Sequence, residues 1–249
     1  MPTFNLSCSE DDQLPKPPKL SRPTKPDDAG EGSDGTNARC HWSGVGDFGA
    51  TQGDVGNRGQ DGRDGSNGIS GVTGAPAATL FINIDDIDGE IDFIMRSCRG
   101  QDGQDGQDGA HGGDGGKGGD GGRGCQDGAN RHNPANGGRG GRGGNGGNGG
   151  NGGNGGDGGD GGELIIVYTN NVPAGLDDIE TSGAEGGAGG QGGQAGLGGN
   201  GGPGGRRDGG NSTQAADGAD GDPGNPGNVG NPGNPGTAND IELRHDTGT

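Results

Sequence analysis

Gly137-Gly138-Arg139-Gly140-Gly141-Arg142-Gly143-Gly144-Asn145 opens a tract in which the pattern Gly-Gly-X continues through Asn148, Asn151, Asn154, Asp157 and Asp160 to Gly162. A flexible linker has no reason to keep glycine in phase, so the strict register points to an ordered repeat. Three residues is the period of the polyproline II helix, which leaves its N–H and C=O groups free of internal hydrogen bonds. Those groups must find partners in neighbouring helices. With glycine in two of three lanes, two faces of such a helix are bare backbone and the third is polar. Bare faces let backbones approach closely enough for N–H···O=C bonds and Cα–H···O contacts.

Working outward, the same period holds from Gly53 to Gly74, Gly100 to Gly124, Gly187 to Gly205 and Gly218 to Gly236. Runs with one glycine lane carry bulkier pairs, such as Asn57-Arg58 and Asn225-Pro226, and belong at the edge of a bundle. At about 3.1 Å per residue, the run from Gly100 to Gly124 would span roughly 78 Å, so the object is a rod. The expected fold is a polyproline II (polyglycine II-like) bundle of about five antiparallel Gly-X-X runs. A small β-sheet cap closes one end, and α-helix is essentially absent because glycine at this density disfavours it.

The interruptions between runs supply the cap. Apolar residues concentrate near 79–95, 164–181 and 239–244. Leu80-Phe-Ile-Asn-Ile and Glu90-Ile-Asp-Phe-Ile-Met, joined through Asp88-Gly89, carry a β-hairpin signature. Leu164-Ile-Ile-Val-Tyr and the stretch around Leu176 to Ile179 read as a second hairpin, and Ile241 to Leu243 as a lone strand. If every connection reverses the chain, all five strands gather at one end and supply the apolar anchor that glycine faces lack.

Composition sets the limits. Of 249 residues, 72 are Gly, and only 21% are apolar and 2% aromatic, so a conventional globular core cannot form. With 14 Pro and two glycine lanes in the densest tract, collagen fits poorly. A net charge of −19 argues against nucleic acid, which requires a basic surface. No run approaches the roughly 18 apolar residues of a membrane span, and the opening residues lack the long apolar middle of a secretory signal. The protein is expected outside the cell or on a cell or virion surface, reached by an unidentified export route.

The tracts Gly112-Gly-Asp-Gly-Gly-Lys-Gly-Gly-Asp and Gly143-Gly-Asn-Gly-Gly-Asn resemble the polyglycine/polyproline II bundles of springtail antifreeze proteins and of glycine-rich phage tail-fibre tip adhesins. They are also similar to glycine-rich repeat regions of mycobacterial surface proteins. The resemblance covers roughly half of the chain and implies the architecture much more than the function.

Residues 1–50 depart from the repeat and read as an extended Pro-rich arm, with 51–249 as the bundle. Lys16, Lys19, Arg22 and Lys25 recur every third residue and would line one face of a polyproline II helix, with Leu20 among the prolines on another. The arm is either a solvated Pro-rich linker or an assembly element. In the second reading, Lys16, Lys19, Leu20, Arg22 and Lys25 dock on the Asp lanes of a neighbouring copy, which include Asp114, Asp120, Asp157 and Asp160.

Motifs that carry chemistry mostly fail. Lys117 is followed by Gly where a phosphate loop needs Ser or Thr. No nucleophile, base and acid stand at a suggestive spacing, so no enzyme is expected and no cofactor, beyond diffuse Ca²⁺ on the Asp lanes. The four cysteines permit three pairings. Chain direction favours Cys40–Cys125 and leaves Cys8–Cys98 dependent on the reach of the arm. Zinc held by Cys40, His41, Cys125 and His132 is the competing reading. The preferred function is a structural subunit of a self-assembling extracellular filament or surface fibre. A receptor-binding tip adhesin and a soluble ice-binding protein are the alternatives.

Overall fold

The structure, a computed structural model, describes residues 3–8, 14–40, 48–85, 92–170, 179–207 and 213–247. Among these there is no α-helix, and the ordered elements are eight short strands. They are β1 (Thr3–Asn5), β2 (Leu80–Ile84), β3 (Asp92–Ile94), β4 (Cys125–Asp127), β5 (Asn130–His132), β6 (Leu164–Tyr168), β7 (Ile179–Glu180) and β8 (Ile241–His245). Between strands lie long extended segments: the arm (14–40), run 1 (51–79), run 2 (95–124), run 3 (134–163), run 4 (181–206) and run 5 (213–240).

Backbone bonds between these segments define two layers. Gly113, Gly116 and Gly119 of run 2 donate N–H to the carbonyls of Gln60, Asn57 and Asp54, so runs 1 and 2 are antiparallel. Gly56, Gly59 and Gly62 of run 1 donate to Arg139, Arg142 and Asn145, so runs 1 and 3 are parallel. The same rule repeats throughout: consecutive segments lie antiparallel in opposite layers, and alternate segments lie parallel in one layer. The arm, run 2 and run 4 make one layer, and runs 1, 3 and 5 the other. Three successive residues bond in three directions. In run 2, Gly115 donates to Asn200 of run 4, Gly116 to Asn57 of run 1, and the carbonyl of Lys117 accepts from Gly32 of the arm.

Glycine occupies two lanes of run 3 because that run has neighbours on four sides. Gly147 donates to Ala110 at 2.8 Å, and a methyl group on its Cα would overlap the Arg63 carbonyl. Gly149 donates to Asn225, and a methyl there would overlap the Gly193 carbonyl. Edge segments are freer. In run 5 the outward lane is Pro223, Pro226, Val229, Pro232 and Pro235.

The cap corrects the hairpin expectation. β2, β6 and β8 form one parallel sheet in that order, and β1, β3 and β7 form another. Each sheet continues one layer of runs, so its strands inherit that layer's parallel direction. The chain does reverse between β2 and β3, but it crosses to the other sheet instead of pairing back. The Asp88-Gly89 turn and the stretch around Leu176 lie outside the described residues. The sheets close on Phe93, Met95, Leu164 and Ile166, all buried, with Ala77, Leu80, Ile82, Ile84 and Ile179 packed around them. β4 and β5 are a second correction: this antiparallel hairpin sits at the opposite end, between runs 2 and 3. Its turn places Gly128 at φ 57°, a conformation that favours glycine.

The packing makes a direct test. Gly147→Ala forces a methyl group into backbone that cannot yield and is expected to cost about 3 kcal/mol or more. Val229, 60% exposed on the outer lane of run 5, should tolerate alanine within about 0.5 kcal/mol. Thermal unfolding of both variants checks this; equal effects would contradict the layer arrangement.

Candidate functional site

The Asp and Asn lanes have a common structural use. On run 2, Asp102, Asp105, Asp108, His111, Asp114 and Asp120 accept the N–H of Ala188, Gln191, Gln194, Leu197, Asn200 and Arg206 on run 4, each at 2.7–2.9 Å. Lys117 interrupts this lane, and the run 4 residue it faces is Pro203, which has no N–H to satisfy. On run 3, Asn145, Asn148, Asn151, Asn154, Asp157 and Asp160 do the same for Asp222, Asn225, Asn228, Asn231, Asn234 and Thr237 of run 5. Short Asp and Asn side chains reach a neighbouring backbone amide without leaving the surface of their own run.

The arm is held in two ways. From Ala29 to Ala38 it bonds run 2 through its backbone, with Ala29, Gly32, Gly35 and Ala38 donating to Asp114, Lys117, Asp120 and Arg123. The same donor lane nearer the N-terminus reads Pro17, Leu20, Pro23 and Pro26, mostly without N–H. Side chains take over there. Gln101, Gln104 and Gln107 donate Nε2–H to the carbonyls of Pro15, Pro18 and Ser21, while their Oε1 atoms accept from Val72, Ile69 and Ser66 of run 1. Each glutamine amide thus bridges the arm and run 1, and Gln104 is 5% exposed. Lys16 pairs with Asp105 at 2.7 Å, Lys19 with Asp108 at 2.6 Å, Arg22 with Asp108 at 3.6 Å and Lys25 with Asp114 at 3.1 Å.

The cations expected to dock on a neighbouring copy therefore sit on the chain's own carboxylates, and Leu20 is 49% exposed beside them. Two disulfides flank the arm, Cys8 before it to Cys98 of run 2 with Cα atoms 5.1 Å apart, and Cys40 at its end to Cys125 at the start of β4 at 5.9 Å. The zinc reading loses Cys40 and Cys125 to a disulfide, and His41 lies outside the described residues. Sequence reasoning missed the glutamine bridges and the amide-capping role of the Asp and Asn lanes. A signal was present, because the same 86-residue offset recurs in every side-chain contact from run 2 to run 4.

Opposite the arm, runs 1, 3 and 5 present a flat face of short polar side chains in transverse rows. Asp64, Asn148 and Asn225 form one row, joined by Asn148 N–H to Asp64 Oδ1 at 2.7 Å and Asn225 N–H to Asn148 Oδ1 at 2.8 Å. Asn67, Asn151 and Asn228 form the next in the same way. Ser70, Asn154 and Asn231, then Thr73, Asp157 and Asn234, continue the register. These side chains are short, and those of run 3 are fixed by hydrogen bonds.

No protein-family model matches the chain, and no curated protein does. Among solved structures, a nine polyproline type II helical bundle antifreeze protein from the springtail Granisotoma rainieri aligns at 27% identity over 68% of this chain and 93% of that one. Its TM-score of 0.12 is too low for the alignment to carry any argument about fold. No helix among the described residues is long and apolar enough to cross a membrane.

The ion pairs between arm and run 2 give an expected pH response. The hydrogen bond from Lys16 holds Asp105 below the usual carboxylate range, and that from Lys19 does the same for Asp108. Depressed folded values stabilise the arm above about pH 3.9 and stop doing so as the pH falls through them. Among the basic residues of the arm's Pro-rich half, Lys19 alone is not followed by proline, so trypsin reports on release of the arm through the Lys19–Leu20 bond. Cleavage should accelerate between low salt and about 1 M NaCl. In Asp105→Asn/Asp108→Asn it should be fast at any salt, while the Asn side chains still accept from Gln191 and Gln194.

Proposed function

We propose that the protein is a non-enzymatic, extracellular ice-binding protein, built on runs in the polyproline II conformation, whose binding face is the one formed by runs 1, 3 and 5. The observation that carries this reading is the set of transverse rows of short side chains, those of run 3 held by Oδ1-to-backbone bonds. A rigid, flat array spends little ordering entropy on meeting an ordered water lattice. At about 3.1 Å per residue, its rows would repeat every 9.3 Å or so along the runs. Two disulfides suit an oxidising compartment, where such bonds persist. The resemblance of the Gly-Gly-X tracts to springtail antifreeze proteins is in keeping with it.

This reading is preferred to the filament because the filament needs an arm free to dock on another copy. Here the arm is fastened at both ends to its own bundle. Prolines also remove the amides with which run 5 would bond a further run in its layer.

Fluorescently labelled protein is expected to partition into a growing ice surface and to produce a measurable gap between melting and freezing. The side chains of Asn228 and Asn231 make no hydrogen bond within the described residues, so Asn228→Lys/Asn231→Lys should fold normally and lose most of that adsorption. Gln191→Lys/Gln194→Lys, on the arm side, should keep it. Absence of ice adsorption by the unmodified protein, or equal loss in both variants, would reject the assignment.

A further inference from the structure

The edge opposite the arm is incomplete. In run 4, the lane Gly189, Gly192, Ala195 and Gly198 has N–H groups with no partner among the described residues. Along run 5, the carbonyls of Gly224, Gly227, Gly230 and Gly233 likewise accept nothing there. Inside the bundle the equivalent groups are all used. The corresponding lane of run 2, from Gly100 to Gly118, donates to carbonyls of run 4. The corresponding carbonyls of run 3, from Gly141 to Gly156, accept from Gly202 to Gly187. Runs 4 and 5 together therefore form the same groove that runs 2 and 3 form for run 4, with donors on one wall and acceptors on the other.

We propose that this groove binds one extended chain of repeating Gly-Pro-X sequence, running parallel to run 4. Each element of that sequence follows from the bundle's own rules. The residue that donates to run 5 must be glycine, because at this position in run 4, as at Gly190 and Gly193, a methyl group would overlap a carbonyl. Along most of the bundle the next residue has its N–H capped by Asp, Asn or His111 on the neighbouring run, and at Pro203 it has none. Run 4 offers Ala188, Gln191, Gln194 and Leu197 in that lane, with no Asp or Asn to cap an N–H, so proline suits the incoming chain there. The bundle already uses this solution where Lys117 faces Pro203. The third residue points away and is unrestricted.

Stoichiometry follows too. A chain added beside run 4 leaves run 5 as the edge of its layer, and the lane with which run 5 would bond another chain is Pro223, Pro226, Val229, Pro232 and Pro235. The groove therefore takes one chain and does not seed a polymer. The partner is a glycine- and proline-repetitive polypeptide, and the site is separate from the flat face of runs 1, 3 and 5.

The test uses the full-length, disulfide-bonded protein and three capped eighteen-residue-scale peptides: (Gly-Pro-Asn)n, the lane-exchanged (Gly-Asn-Pro)n and the glycine-free (Ala-Pro-Asn)n. Titration followed by amide NMR shifts should show one-to-one binding of (Gly-Pro-Asn)n, with the largest changes at Gly189, Gly192, Ala195 and Gly198. The lane-exchanged peptide should bind at least tenfold more weakly, and the glycine-free peptide should not bind. Ala195→Pro removes one donor at a position where the extended backbone accepts proline, and should weaken binding several-fold without changing the unfolding temperature. Equal affinity for the two glycine peptides, shifts centred on another edge, or no binding at millimolar peptide would overturn the proposal. None of these outcomes bears on ice adsorption.

Discussion

A backbone amide buried without a partner costs about 1–3 kcal/mol, and the segments of this protein bury amides on several sides at once. Everything else depends on bonding them across segments, since an extended chain has no internal acceptors. Two backbones can approach to 2.7–3.0 Å between N and O only where no Cβ intervenes, and the density of glycine follows from that requirement. Glycine then falls in the lanes where a Cβ would meet a neighbouring carbonyl. Run 3, surrounded, has two such lanes; run 5, at an edge, has one.

Side chains act mainly as substitutes for missing backbone partners. Where glycine contact leaves an N–H uncapped, Asp or Asn on the adjacent segment supplies an acceptor. Where prolines leave the arm few donors, Gln101, Gln104 and Gln107 hold it by donating to its carbonyls while accepting from run 1. Where Lys117 replaces an acceptor, Pro203 removes the need for one. The acidic composition is thus in part a hydrogen-bonding device, and the apolar core shrinks to the cap, where Met95, Leu164 and Ile166 are fully buried.

Much of this was legible because it is periodic. Glycine in phase from Gly137 to Gly162 marks close-packed extended runs, and the apolar stretches near 79–95, 164–181 and 239–244 contain β2, β3, β6, β7 and β8. What escaped was non-local. Asp88-Gly89 read locally suggests a hairpin, whereas the partner of β2 is β6, more than eighty residues away and already aligned by the parallel runs beneath it. The hairpin of β4 and β5 is short and polar, with no alternation to betray it. Asp105 reads as a solvated carboxylate until its distance to Gln191 and Lys16 is known. The arm looked separate because its prolines break the glycine phase, though they are the residues that its glutamine partners compensate.

Residue-resolved amide hydrogen exchange on run 4 tests the central claim most directly, since adjacent glycines there have opposite fates. Bonding to run 3 should make Gly190, Gly193 and Gly196 exchange slowly, while Gly189, Gly192 and Gly198 of the same segment exchange at nearly the rate of open chain. Uniform exchange along the run, fast or slow, would contradict a fold held by backbone bonds that repeat every three residues.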